Sequence, residues 1–170
     1  MIDANETFYG TWPYAPHFFD GNGFRMHYVD ENPSAQESFL CVHGEPTWGY
    51  LYRNIIPRLA KHGRVVVPDQ MGFGKSEAPQ GRRYTIEEHC NNLEKLVLAL
   101  DLTNITLVMQ DWGGPIGSSI AYRHMDFVIA CFKDMWPARP VVTLPGVGHF
   151  LQEDAPEAVS APIEQFVQMT

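Results

Sequence analysis

Positive charge is scarce in this sequence. Twelve Lys and Arg stand against 20 Asp and Glu, a formal net charge of -8 at pH 7. Such a surface repels nucleic acid and anionic membranes, so neither is an expected partner. Long apolar runs are also lacking, and no stretch reaches the roughly 20 residues that a membrane-spanning helix needs. The first ten residues carry Asp3 and Glu6 but no Lys or Arg, unlike the basic start of a secretory signal. Cysteine is sparse: Cys41, Cys90 and Cys131 lie far apart, without metal-ligand spacing. An odd number in apolar surroundings reads as reduced, buried thiols of a cytoplasmic protein. Internal repeats and low-complexity tracts are absent. What is present, 170 residues that are 45% hydrophobic and 12% aromatic, is about one domain's worth of chain with material for one core. Residues 1–170 are therefore read as a single domain.

The residue pattern predicts alternating strands and helices. Alternation from His17 to Val29 suggests two short strands around the Gly21-Asn22-Gly23 turn. Phe39 to Val42 is a short apolar run and reads as a buried strand. A helix is expected over Tyr50 to Lys61, closed by Gly63 as a C-cap. Arg64 to Pro68 forms the next strand, and the polar, Gly-rich stretch from Asp69 to Tyr84 a loop. Thr85 and Glu88 make a capping box for a helix to about Asp101. Ile105 to Met109 reads as a buried strand with a helix, Gly113 to His124, directly behind it. Asp126 to Phe132 and Pro140 to Leu144 are further candidate strands. Asp154 and Glu157 form a second capping-box pattern before a final helix to about Gln168. The alternation implies an α/β fold: a mostly parallel sheet with helices on both faces. In such sheets ligands bind beyond the carboxyl ends of the strands.

The sharpest motif is Val108-Met-Gln-Asp-Trp-Gly-Gly114. Here Asp111 stands between an apolar strand and a helix, as a nucleophile does at a strand–turn–helix elbow. Met109 occupies the position two residues before it that is usually Gly. Read alone, Asp111 serves equally well as an N-cap that satisfies a backbone N–H. Three more blocks follow predicted strands or lie near the end: His43-Gly-Glu-Pro-Thr-Trp48, Asp69-Gln-Met-Gly-Phe-Gly-Lys-Ser76 and Pro145-Gly-Val-Gly-His-Phe-Leu-Gln-Glu-Asp154.

Together these four blocks resemble the haloalkane dehalogenases, particularly those with His-Gly-Glu-Pro, over about residues 14–124 and 140–165. The resemblance implies an α/β-hydrolase fold and a small haloalkane substrate, with halide as a product and no cofactor or metal. Its chemistry accounts for the residue types. A carboxylate is ionised at neutral pH, so Asp111 attacks an sp³ carbon without a base to activate it. The alkyl ester so formed needs a water activated by a general base, the role of His149, whose ring an acidic partner orients. By resemblance the backbone N–H groups of Glu45 and Trp112 stabilise the oxyanion, and the Trp112 indole holds the halide.

Relatives of this type carry a helical cap between their sixth and seventh core strands. Only 15 residues separate His124 from Pro140, so no cap fits, and about one core strand is missing too. Two alignments remain open. In one, Asp126 to Phe132 is the seventh strand and Lys133-Asp134 carries the triad acid. In the other, the sixth strand is shortened and Met135-Trp136-Pro137 begins the cap. Asp134 follows the strand in both, giving the chain order nucleophile, acid, histidine; a solvated loop charge is the competing reading. Apolar surface left by a lost cap would favour homo-oligomers. A non-catalytic core and an epoxide hydrolase, which shares the Asp nucleophile, stand as alternatives; Trp136 discriminates weakly, as a substitute halide donor or a packed aromatic.

Overall fold

The computed structural model describes residues 2–124, 144 and 146–169. Strands β1 (His17–Phe19), β2 (Met26–Glu31), β3 (Ser38–Val42), β4 (Arg64–Pro68) and β5 (Ile105–Met109) form one sheet in the order β1-β2-β4-β3-β5. Strands β4, β3 and β5 are mutually parallel, whereas β2 runs antiparallel to both β4 and β1. Four of the five strands therefore point one way, the mostly parallel sheet expected.

Period-two alternation sends successive strand residues to opposite faces, and both faces are covered. Phe39, Cys41, Val65 and Val67 point into one core with Trp12, Tyr52, Ile55, Ile56 and Leu59. Leu40, Val42 and Val66 point into the other, against Leu93 and Val97 of α2 (Ile86–Ala99) and Ile116 and Ile120 of α3 (Gly113–Arg123). Cys41 and Cys90 are free and buried as expected; burial pushes the Cys41 thiol well up. The Thr85 side chain accepts from Glu88 N at 3.2 Å, as its capping box requires. Among the described residues, no helix is long and apolar enough to cross a membrane.

Two expectations need correction. The helix expected over Tyr50 to Lys61 is broken into a 3-10 turn, Gly49–Tyr52, and the short α1, Ile56–Leu59. Pro57 has no N–H to donate to the Arg53 carbonyl. The Tyr14 hydroxyl donates to it instead, at 2.7 Å, and burial helps to push that phenol up to about 12. Ala60, not Gly63, caps α1. Gly63 is required by space: a Cβ there would lie 2.7 Å from the Glu37 carbonyl oxygen. Near the C-terminus, Asp154 does not cap the final helix. It ends a separate short helix, α4 (Leu151–Asp154), before α5 (Pro156–Met169), and its carboxylate accepts from Gly148 N at 2.7 Å. The strand expected over residues 126–132, most of that over 140–144, and Asp134 and Trp136 lie outside the described residues.

Candidate active site

The site forms where β3 and β5 end level with each other. Val42 and Met109 are register partners, so the loops that follow, His43-Gly44-Glu45 and Gln110-Asp111-Trp112, leave the sheet side by side. Beneath them the buried Tyr52 hydroxyl donates toward Val42 O at 2.9 Å and Val108 O at 3.3 Å, bracing the two strand ends.

Asp111 takes a φ of +53°, the left-handed region that L residues with side chains rarely occupy. Gly113 N donates to Gln110 O and Gly114 N to Asp111 O, both at 2.9 Å, closing a tight turn into α3. Close approach demands two glycines. A Cβ on Gly113 would overlap the Val42 carbonyl, and one on Gly44 would lie 2.6 Å from both Asp111 Cβ and Trp112 N. Met109, where the motif usually has Gly, is accommodated across the turn. Its side chain lies over Gly117, where a Cβ would stand only 3.0 Å from Met109 Cγ.

The Asp111 carboxylate has a neighbour on each oxygen, and one of them holds it. Oδ1 accepts from Glu45 N at 3.0 Å, and Oδ2 is 3.4 Å from His149 Nε2. The Glu45 side chain is exposed, so only its main chain serves the site. Trp112 is 47% exposed, which leaves its indole open to the solution side. Asp111, His149, Glu45 and Trp112 are thus gathered in one place. A cleft of about 290 Å³ opens beside them, lined by Pro46, Thr47, Trp48, Tyr50, Leu51, Phe150 and Glu153. Pro46 follows Glu45 and Phe150 follows His149, so the cleft is bounded by the loops that carry the site.

A buried polar scaffold supports the floor. His43 Nδ1 faces Gly44 O at 2.9 Å, and its Nε2 accepts from Gln70 N at 2.8 Å. A carbonyl only accepts, so the proton sits on Nδ1. Burial lowers the His43 pKa, against the pull of Asp69 and the bond to Gly44, and the ring is a neutral bracket between β3 and the loop after β4. Asp69 is fully buried. Its carboxylate accepts from Gly49 N and Lys75 N at 2.8 Å each and lies 2.8 Å from His27 Nδ1. Lys75 in turn donates to Ala4 O at 2.7 Å and Glu6 O at 2.8 Å, fastening the N-terminal segment. Sequence reasoning missed His27, the bracing Tyr52 and Gln110, whose Nε2 lies 2.9 Å from His149 Nε2. Only Gln110 carried a signal, its place directly before Asp111. Among the described residues, no group of three or more His, Cys, Asp or Glu is arranged to hold a metal.

Comparison with known proteins fits this geometry. The chain is 43% identical over 118 residues to the haloalkane dehalogenase of Psychrobacter cryohalolentis, covering 65% of this chain and 39% of that one. It is 43% identical over 130 residues to haloalkane dehalogenase 2 of Mycobacterium bovis, covering 75% of this chain and 45% of that one. The chain thus spans less than half the length of these relatives. Among solved structures, the tetrameric haloalkane dehalogenase DpaA of Paraglaciecola agarilytica NO2 superimposes with a TM-score of 0.66 at 45% identity, over 69% of this chain and 42% of that one. The epoxide hydrolase CorEH superimposes with a TM-score of 0.61 at 32% identity, over 67% and 39%. Residues 37–135 match the family model described as alpha/beta hydrolase fold. With the elbow at Asp111 between β5 and α3, and the sheet order around it, the chain belongs to the alpha/beta hydrolase fold family.

Proposed function

We propose that the chain acts as a hydrolase of the haloalkane dehalogenase type, with Asp111 as nucleophile and His149 as general base. One observation carries this reading: the Asp111 carboxylate, raised on a left-handed elbow, has one oxygen on Glu45 N and the other 3.4 Å from His149 Nε2. In the first step an Asp111 oxygen bonds to the substrate's sp³ carbon, and the carbon–halogen electron pair leaves with the halide. The indole N–H of Trp112, a half-exposed residue directly after Asp111, is the proposed group that receives it. In the second step water adds to the carboxyl carbon of the ester while His149 Nε2 takes its proton. Glu45 N, which already holds Oδ1, and the proposed second donor Trp112 N stabilise the oxygen that becomes negative. Collapse expels the alkoxide, which leaves as the alcohol on protonation. Asp134 is the proposed acid that orients His149.

Intact-mass measurement after exposure to bromoethane tests this. The parent is expected to gain one ethyl group on Asp111 and then lose it. His149→Ala should gain the same mass and keep it; Asp111→Asn should gain none. Equal loss from parent and His149→Ala would remove His149 as the base. Absence of any label would favour the alternative of a non-catalytic core.

Epoxide hydrolysis is the second reading, supported by the likeness to CorEH. That reaction needs hydroxyl donors over the epoxide oxygen, and the sequence leaves no cap to carry them. Diol production from an epoxide, without label from bromoethane, would favour it.

A further inference from the structure

We infer that Gln110 is a positioning residue for His149, fixing the imidazole in the tautomer whose Nε2 can act as a base. The inference rests on the hydrolytic reading of Asp111 and His149. Gln110 is buried, between the end of β5 and Asp111. Its Nε2 lies 2.9 Å from His149 Nε2 and 3.5 Å from the His149 carbonyl oxygen. That carbonyl can only accept, so the end of the amide that faces it is the NH₂ end. The same NH₂ therefore donates to His149 Nε2, which must be an unprotonated acceptor. In the neutral ring the proton then sits on Nδ1. Reversing the amide would set its oxygen against the His149 carbonyl. It would also bury the NH₂ where Gln110 Oε1 now lies, a place with no partner among the described residues.

Gln110 is, among the described residues, the group placed to fix Nε2. Among the described residues, the charged groups on the elements around His149 are Asp111, Glu45, Glu153 with Arg53, and Asp154. Asp111 Oδ2 is 3.4 Å from Nε2, too long for a strong hydrogen bond. Glu45 meets Asp111 through its main chain. Glu153 is paired with Arg53, and Asp154 accepts from Gly148 N. The Phe150 ring packs edge-on against the imidazole, with centroids 4.9 Å apart.

In a catalytic triad the acid sets the tautomer from the Nδ1 side. Gln110 acts from the opposite side, on the atom that takes the proton from water. Its N–H stands where a water O–H would donate, so the hydrolytic water replaces it at Nε2 without any change of tautomer. The 2.9 Å bond from Gln110 to the imidazole also ties the histidine loop to the elbow. Gln110 should therefore matter for loss of the alkyl group and little for its gain.

Imidazole ¹⁵N–¹H correlation spectra test this on the full chain without substrate, at a pH high enough for every ring to be neutral, with His149→Ala for assignment. The parent should show His149 protonated on Nδ1. Gln110→Leu, which keeps the bulk and loses the hydrogen bond to the ring, should shift it toward the Nε2–H form. Gln110→Glu keeps the shape but offers only acceptors, so it should drive the ring to Nε2–H outright; it also covers the case in which the leucine variant does not fold. After bromoethane, both variants should gain label within about twofold of the parent rate and lose it at least about tenfold more slowly. The same tautomer in parent and variants, or unchanged label loss, overturns the inference. A tautomer shift in a chain that takes no label would support the placement of Gln110 while defeating the enzymatic reading.

Discussion

Asp111 holds a left-handed backbone angle, +53°, at a cost of roughly 1–3 kcal/mol that the surrounding contacts must sustain. Gly44 and Gly113 make those contacts feasible by letting β3's carbonyl end and the elbow approach without a Cβ between them. An alanine at Gly44 would press on Asp111 and Trp112 N, so Gly44→Ala should lower the alkylation rate by at least about a hundredfold, the order expected for misplacement by about 1 Å. Rapid-quench mass spectrometry measures this; an unchanged rate would mean that the space beside Trp112 N is not used. Trp112 itself offers an optical test. Iodide or bromide should quench tryptophan fluorescence more in the parent than in Trp112→Phe, and equal quenching would take the indole out of the halide site. These residues were legible because Asp111, Trp112 and Gly113 lie in one contiguous block whose chemistry depends on order along the chain. The bond from Gln110 to His149 was not, because it joins residues 39 positions apart and exists only once the turn has its shape.

The strand–turn–helix unit of β5 and α3 shows how an element absorbs a departure from its motif. Met109 replaces the usual glycine, and the missing space is found one turn into α3, at Gly117. Gly117→Ala should therefore destabilise the parent by about 1–3 kcal/mol through overpacking. In a Met109→Ala background it should cost about 1 kcal/mol less, the coupling expected of residues in contact. Denaturant unfolding of the four proteins in the cycle measures it, and additive effects would show that Met109 and Gly117 do not share one space. Strands β3, β4 and β5 were readable because both of their faces are buried, so each is a short apolar run that ends in a polar or Gly-rich block. The segment from Tyr50 to Lys61 misled because its apolar spacing suits a helix, while Pro57 withdraws a donor and Tyr14, far away in the chain, supplies the replacement. No local pattern contains that exchange. The second capping-box pattern failed similarly: Asp154 has the right spacing to Glu157, but the Gly148 N–H captures its carboxylate.

At the scale of the whole molecule, many polar groups are sealed inside the fold, and two of them are expected to shape its response to acid. His43 and His89 both pack against the Phe73 ring. Burial lowers the pKa of each from the ordinary 6.5. For His43 the Asp69 charge and the Gly44 bond oppose this; for His89 the His43 charge adds to it, and Glu88 opposes. The unfolded chain therefore binds protons below about pH 6.5 that the folded chain refuses. Their contribution to stability is full above about pH 6.5 and is lost as the pH falls through the lowered folded values. The melting temperature should accordingly drop between about pH 7.5 and about pH 5.5, more steeply than exposed histidines would require. His89 permits a clean dissection. Its Nδ1 is buried with no partner among the described residues, so His89→Leu removes a titrating group without orphaning another. Replacement by an apolar side chain of similar reach costs little where no hydrogen bond is lost. Melts of parent and His89→Leu across this range should show a shallower acid limb in the variant, with little difference at neutral pH. Parallel curves would assign the acid sensitivity to other groups, His43 first among them.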